Sequence, residues 1–153
     1  MSAGMKQQLH DDLTTAMKAR DELRTASLRM ALTALTNEEV AGKQSRTLSD
    51  EDVVVVLRRE VKKRTEAAEA FANGGRAASA ERELAERAVL AAYLPAELSE
   101  ADLAELVEAA VTESGATSPG QMGLVMKVLT PRVAGRTDGG RVAAAVRARL
   151  SQA

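Results

Sequence analysis

Apolar residues recur every three or four positions along almost the whole chain, which is the period of an amphipathic α-helix. No segment alternates apolar and polar residues over the length of a strand. The pattern predicts an all-α protein in which Asp21 caps the start of the second helix. The repeating apolar positions of the first two helices are Met5, Leu9, Leu13, Met17, Leu28, Leu32 and Leu35.

Capping signals place the starts of three further helices. Ser49 stands three residues before Asp52, and Ser99 stands three before Asp102, so each serine can accept a hydrogen bond from a first-turn amide. The segment 118–121 combines an N-cap serine, a proline at the first helical position and a glutamine at the third. A last helix should follow the glycine-rich turn 135–140.

Helix stops divide the chain into two parts. The third and longest helix should end at Gly74-Gly75, and the fourth at Pro95, because proline cannot continue a helix. Pro131 should end or kink the sixth helix for the same reason. We therefore predict an N-terminal bundle of about four helices in residues 1–95 and a three-helix C-terminal module in residues 96–153.

Composition excludes several classes of protein. Cysteine is absent, so the chain has no disulfide, thiol nucleophile or thiolate metal site. It opens without an apolar leader, and no run approaches the roughly 20 apolar residues that span a bilayer. These features predict a cytoplasmic protein with no membrane association. Aromatic residues make up only 1% of the chain, so its core must be aliphatic.

Charge is distributed unevenly although the net charge is only −1. Residues 81–113 carry nine acidic and two basic side chains, whereas residues 119–153 carry six basic and one acidic. A basic segment can bind phosphates, and backbone amides at a helix N-terminus assist it. The predicted RNA-binding residues are Lys127, Arg132, Gly135, Arg136, Gly139, Arg141, Arg147 and Arg149.

A structural interpretation of the same residues is also open. The glycines of the 135–140 turn can simply end one helix, with Thr137 or Asp138 capping the next. Two other basic groups have the same two interpretations, and for both we favour a solvated face paired with neighbouring acids. These groups are Arg58, Arg59, Lys62, Lys63 and Arg64 on the third helix, and Lys18, Arg20, Arg24 and Arg29 near the first helix junction.

The sequence contains no recognisable catalytic constellation. His10 is the single histidine, and with Asp11 and Asp12 it lacks the convergent geometry of a metal site. No serine has a histidine partner in a known motif. We predict no catalytic residue, no metal and no cofactor.

Six blocks of residues follow one another in a specific order and spacing: 12–13 with 16–21, 48–53, 59–67, 93–95 with 98–99, 122–123 with 125–126, and 135–136 with 138–139. Together they resemble the GatB/YqeY family over Leu9 to Leu150. Leu124, Thr137 and Ala143 depart from the family pattern, and Leu124 replaces a common lysine.

The resemblance implies a function as well as a fold. The C-terminal module is similar to the tail of GatB, a subunit of the glutamine-dependent tRNA amidotransferase, and that tail engages tRNA. A non-catalytic accessory protein that binds tRNA or a tRNA-bearing complex is therefore expected. The alternatives are a protein–protein adaptor and a component of a carbon–nitrogen ligase that uses glutamine as amido-N-donor. Catalysis by this chain alone is not expected, and the oligomeric state is not indicated.

Overall fold

The computed structural model describes residues 4–152, which form seven α-helices and one short 3₁₀ turn, with no β-strand. The all-α prediction is confirmed. None of these helices is long and apolar enough to cross a bilayer. Their bounds are α1 Met5–Lys18, α2 Glu22–Glu39, α3 Asp50–Asn73, α4 Ala77–Ala91, α5 Glu100–Ser114, α6 Met122–Val133 and α7 Gly139–Ser151.

The chain divides into two compact units, which meet in sequence at the Leu94–Pro95 bond. Helices α1 to α4 lie in the N-terminal unit and α5 to α7 in the C-terminal unit. The assignment of residues 1–95 to one domain and of residues 96–153 to another stays a prediction.

The N-terminal unit buries an aliphatic core contributed by all four helices. Helix α3 packs along α4, and α2 contacts the other three helices. Met17 was predicted to belong to this core but is 49% exposed, and Leu84 of α4 is exposed as well. Five leucines of the core are completely buried: Leu9, Leu28, Leu35, Leu57 and Leu90.

The α3 N-terminus has the predicted reciprocal cap. The hydroxyl of Ser49 accepts a hydrogen bond from the Asp52 amide at 3.1 Å, and the Asp52 carboxylate accepts one from the Ser49 amide at 3.0 Å. The hydrogen bond from the Ser49 backbone lowers the pKa of Asp52, which keeps this carboxylate ionised as an acceptor. The cap thus satisfies amides that no helical carbonyl can reach.

The C-terminal unit is a three-helix arrangement around a separate core. Buried residues at helical spacing, such as Val125 and Leu129 on α6 and Val142 and Val146 on α7, face α5. Before α5, the buried Leu98 donates its amide to the Arg136 carbonyl at 3.0 Å. This bond fixes the entry to α5 against the turn between α6 and α7.

Helix α6 starts and ends at positions that differ from those that the sequence predicts. Pro119 to Gln121 form a 3₁₀ turn, and α6 begins at Met122. The Gln121 side chain accepts hydrogen bonds from the Thr117 and Ser118 amides at 2.7 and 3.2 Å. Pro131 lies inside α6, which continues to Val133, so the helix ends at the glycine-containing turn rather than at the proline.

The end of α1 holds a non-glycine residue in the left-handed region. Arg20 has φ 56°, and it is the only described non-glycine residue with positive φ. Its amide donates to the Met17 carbonyl at 3.1 Å, and the Asp21 amide donates to Ala16 at 2.9 Å. This pair of bonds defines a Schellman cap, whose left-handed position is usually glycine.

Helix α3 ends in the same motif with glycine at that position. Gly75 has φ 75°, and the bonds from Gly75 to Ala72 and from Arg76 to Phe71 measure 3.1 and 2.8 Å. The two caps are therefore a matched pair, one with arginine and one with glycine.

Substitution of a buried leucine should destabilise the C-terminal unit. Leu129 is fully buried, whereas Leu124 on the same helix is 50% exposed. We expect Leu129→Ala to lower the free energy of unfolding by about 3 kcal/mol through lost burial and a cavity. The control Leu124→Ala should change it by less than about 0.5 kcal/mol. Urea unfolding followed by circular dichroism measures both.

The same variant tests the two-domain prediction. Tyr93 is the only tyrosine in a chain without tryptophan, so its fluorescence reports on the N-terminal unit alone. With independent domains, Leu129→Ala leaves the Tyr93 transition unchanged while the circular dichroism curve shifts. A parallel shift of both signals would contradict the prediction.

Substitutions at the left-handed positions of the two Schellman caps should change the free energy of unfolding in opposite directions. We expect Arg20→Gly to raise the free energy of unfolding by about 1 kcal/mol, because glycine adopts positive φ without a Cβ clash. Gly75→Ala should lower it by about 1 kcal/mol for the same reason. A Cβ at Gly75 would meet no atom within 4 Å, so steric crowding does not contribute. Urea unfolding measured by Tyr93 fluorescence checks both values.

Tyr93 should make stability fall at alkaline pH. Burial raises the pKa of Tyr93 to about 12, helped by its hydrogen bond to the Asp12 carboxylate. In the unfolded chain Tyr93 ionises near the ordinary tyrosine pKa of 10.0, so this contribution to stability is complete below that pH and is lost as the pH rises toward 12. Absorbance titration at the tyrosinate band measures the pKa, and Tyr93→Phe should remove this part of the pH dependence.

Candidate nucleic-acid interface

Three of the six predicted tail cations are held in ion pairs with α5. Arg141 reaches Glu100 at 2.7 Å, Arg149 reaches Glu108 at 2.6 Å, and Arg132 pairs with Glu113. Across the whole unit, Pro95–Ala153, the six basic side chains face seven acidic ones. The positive charge that the sequence concentrates beyond Pro119 is therefore largely compensated in the folded unit.

Arg149 and Glu108 form the most complete of these pairs. The Arg149 Nε and Nη2 atoms donate to the two Glu108 carboxylate oxygens at 2.6 and 2.8 Å. These hydrogen bonds lower the pKa of Glu108 and raise the pKa of Arg149. Such a two-pronged contact fixes the geometry of the arginine, so the side chain is less available to a phosphate.

Arg141 has a structural role at the other end of α7. Besides Glu100, its guanidinium donates to the Leu98 carbonyl at 2.7 Å and to the Thr137 hydroxyl at 3.1 Å. It thus connects the segment before α5, the α6–α7 turn and the first turn of α7. A partner would have to break this network to use Arg141.

The glycine-rich turn is organised by Asp138. Gly135 is buried with φ 75°, a conformation that favours glycine, and Gly139 is the first residue of α7. The Asp138 carboxylate accepts a hydrogen bond from the Gly140 amide at 2.7 Å, so the predicted capping role of Asp138 is confirmed. Phosphate binding at this turn stays a prediction, and the phosphate would compete with Asp138 for the α7 amides.

The other three predicted cations have different surroundings. Lys127, Arg136 and Arg147 are exposed, and none is in an ion pair within residues 4–152. Lys127 lies midway between the buried Val125 and Leu129, on the face of α6 that points away from the core. Arg136 uses only its backbone, through the hydrogen bonds to Leu98 and Val133.

The basic run of α3 is also mostly paired. Arg59 reaches Glu38 of α2 at 3.1 Å, and Lys63 reaches Glu60 at 3.0 Å. Arg64 lies within 4.0 Å of three carboxylates and donates to the Met30 sulfur at 3.0 Å. These contacts support the interpretation of a paired face over that of a nucleic-acid track.

A groove of about 570 Å³ runs between α2 and α3, beside these pairs. Its apolar residues include Met30, Ala34 and Val56, and Arg29 and Arg59 lie among its charged ones. It is an open, mixed surface rather than an enclosed catalytic pocket.

The cations at the α1–α2 junction are arranged differently from the other two groups. Lys18, Arg20, Arg24 and Arg29 form no ion pair in the described part of the chain. Arg29 donates to the Met17 sulfur at 3.8 Å, and Arg24 lies near Tyr93, where its positive charge opposes the rise in the pKa of that tyrosine. We call these four residues the basic corner.

No metal centre is found among residues 4–152, where no three histidine or acidic side chains converge. His10 is exposed on α1, and its backbone carbonyl accepts a hydrogen bond from Thr14.

Sequence reasoning missed the acidic partners Glu100, Glu108 and Glu113, because 19 to 41 residues separate them from their arginines. One signal could have revealed them. The acidic stretch and the basic tail have opposite charge and lie on helices predicted to share one module, which favours pairing between them.

Comparison with family models identifies the family of this chain. No curated protein matches the chain. A family model described as Yqey-like protein matches residues 6–150, from the second residue of α1 to the penultimate residue of α7. Since this match covers nearly the whole chain, the protein belongs to the YqeY-like family.

Proposed function

We propose that this protein is a non-catalytic accessory factor that binds tRNA or a tRNA-bearing complex through its C-terminal unit. One observation carries the proposal. Lys127, Arg136 and Arg147 are exposed and in no ion pair with another described residue, whereas Arg132, Arg141 and Arg149 hold α5 against α6 and α7. The six predicted cations thus separate into three that stabilise the unit and three that are available to phosphates.

Phosphate contact should dominate any RNA binding by this unit. The two aromatic residues of the chain, Phe71 and Tyr93, both belong to the N-terminal unit. Phe71 lies under the Arg76 guanidinium at 5.2 Å, and Tyr93 is hydrogen-bonded to Asp12. Without stacking platforms, recognition would depend on the shape of a folded RNA and on its backbone charge.

The resemblance of the sequence to the GatB/YqeY family implies a C-terminal module like the tRNA-engaging tail of GatB, and this implication favours tRNA as the RNA. Leu124 weakens this support, since lysine is common there in the family. Leu124 is half exposed on α6, so a lysine at this position would stand beside Lys127 on the outer surface. Restoring that lysine is therefore a direct way to probe the surface.

A second candidate, a protein–protein adaptor, is favoured by the groove between α2 and α3. The groove combines apolar residues with charged rims, a composition that suits a peptide side chain better than an RNA backbone. An affinity purification that recovers the same protein partners with and without nuclease would favour this adaptor role over tRNA binding.

Removal of the three available cations should weaken tRNA binding and its salt dependence. We expect the triple variant Lys127→Gln, Arg136→Gln, Arg147→Gln to reduce the slope of log affinity against log salt by about two to three. The charge-matched control Lys43→Gln, Lys62→Gln, Arg76→Gln should leave that slope within about one of the unmodified chain. Filter binding of deacylated tRNA across a salt series measures both.

Two results would contradict the proposal. One is the absence of salt-sensitive tRNA binding at low ionic strength. The other is a triple variant that binds tRNA as the unmodified chain does. Conversely, Leu124→Lys should strengthen binding, because it adds a cation next to Lys127.

A further inference from the structure

The basic corner differs from the other two basic groups in its electrostatic surroundings. The tail and α3 groups are largely neutralised by carboxylates, but none of Lys18, Arg20, Arg24 and Arg29 is in an ion pair within residues 4–152. Lys18, Arg20 and Arg29 are exposed, and Arg24 is partly buried near Tyr93. Four like charges are thus gathered at one helix junction, and none of them is in an ion pair with a carboxylate of the described residues.

The acidic residues nearest in sequence are engaged elsewhere. The Asp21 carboxylate accepts the Arg24 amide at 3.0 Å as the α2 cap. Glu22 is held by Arg82 of α4 through two hydrogen bonds of 2.8 and 2.9 Å, which lower its pKa. Asp12 accepts the hydroxyl of Tyr93. Each of these carboxylates keeps its negative charge, but none of them forms an ion pair with a cation of the basic corner within residues 4–152.

The backbone conformation of Arg20 is a second feature of the basic corner, independent of its charge. Its left-handed backbone costs free energy relative to glycine, which the chain uses at the equivalent position of α3. The Arg20 side chain makes no hydrogen bond or ion pair within residues 4–152, so no contact in the described molecule offsets that cost. An unfavourable backbone conformation of this kind points to a role for the side chain outside the fold.

The chemistry of the corner suits phosphate groups. Guanidinium groups match phosphate oxygens with two parallel hydrogen bonds, and exposed lysine adds a mobile positive charge. A protein interface would need an apolar centre, but Met17 is the one large apolar side chain exposed at this junction. A series of phosphates along an RNA backbone therefore fits better than an acidic protein surface.

We propose that the basic corner is an RNA phosphate-binding surface in the N-terminal unit, with Arg20 as its principal contact residue. This surface goes beyond the function proposed for the tail, because it does not require that the tail bind RNA. The left-handed conformation places Arg20 outside the helical path of α1, between Lys18 and the start of α2. Arg20 makes the cap of α1 less stable than glycine would, but it presents an exposed guanidinium at this position.

The test uses the opposite effects that Arg20→Gly should have on stability and on binding. The full-length variant should unfold at higher urea concentration yet bind deacylated tRNA about tenfold more weakly at low salt. Arg20→Lys keeps the charge and the backbone cost, so its affinity should fall by no more than about threefold. The single-cation control is Lys43→Gln, which removes an exposed and unpaired lysine from the same unit.

Several outcomes would overturn the proposal. Arg20→Gly could bind tRNA as well as the unmodified chain, or lose no more affinity than Lys43→Gln. A purely structural role would give the first of these results, since the variant is the more stable protein. Poly-L-glutamate that displaces tRNA as effectively as unlabelled tRNA at equal charge would instead assign the corner to an acidic protein.

Comparison with the tail variants separates this proposal from the proposed function. Weakened binding in Arg20→Gly with unchanged binding in the tail triple variant supports the corner and contradicts the tail function. The reverse pattern contradicts the corner and supports the tail. If both Arg20→Gly and the tail triple variant bind tRNA more weakly, and each reduces the slope of log affinity against log salt, the result supports two separate phosphate-binding surfaces.

Discussion

Ion pairs between neighbouring helices determine which charges of this protein remain available for binding. The core is made of small and medium aliphatic side chains, and long arginines extend from one helix to carboxylates on the next. Arg82 connects α4 to α2, and Arg141 and Arg149 connect α7 to the α5 side of the C-terminal unit. A cation engaged in this way stabilises a helix position, and only a cation outside such pairs is free to meet a partner.

The ion pairs with α5 neutralise much of the charge of the basic tail. Counted along the chain, the tail is strongly basic, but in the folded unit its charge is matched by the acidic helix α5. The basic corner does not stand out in the sequence, but none of its four cations is in an ion pair within the part of the chain that the structure describes. Binding capacity therefore depends less on local charge density than on where the carboxylates lie in the fold.

The residues at the helix ends affect both the stability of the fold and the surface available for binding. Ser49, Ser99 and Asp138 accept amides at helix starts, as elementary capping chemistry requires. At the end of α1, Arg20 occupies a position for which glycine is better suited, and its side chain is exposed. A residue that weakens the cap and remains solvent-accessible marks this junction as the part of the N-terminal unit in which function and stability oppose each other.

The sequence alone determined the helical class, the family and most helix starts, because hydrophobic period and capping chemistry are local properties. It narrowed the α7 cap to Thr137 or Asp138, and the structure shows that Asp138 is the cap. The sequence pattern misplaced Met17 in the core, since helical period does not show how wide the buried face is. Only the tertiary structure decided which tail cations are available, because the pairs with Glu100 and Glu108 join residues 41 positions apart. It also revealed the left-handed Arg20, since backbone conformation at a helix end depends on how the following helix is placed.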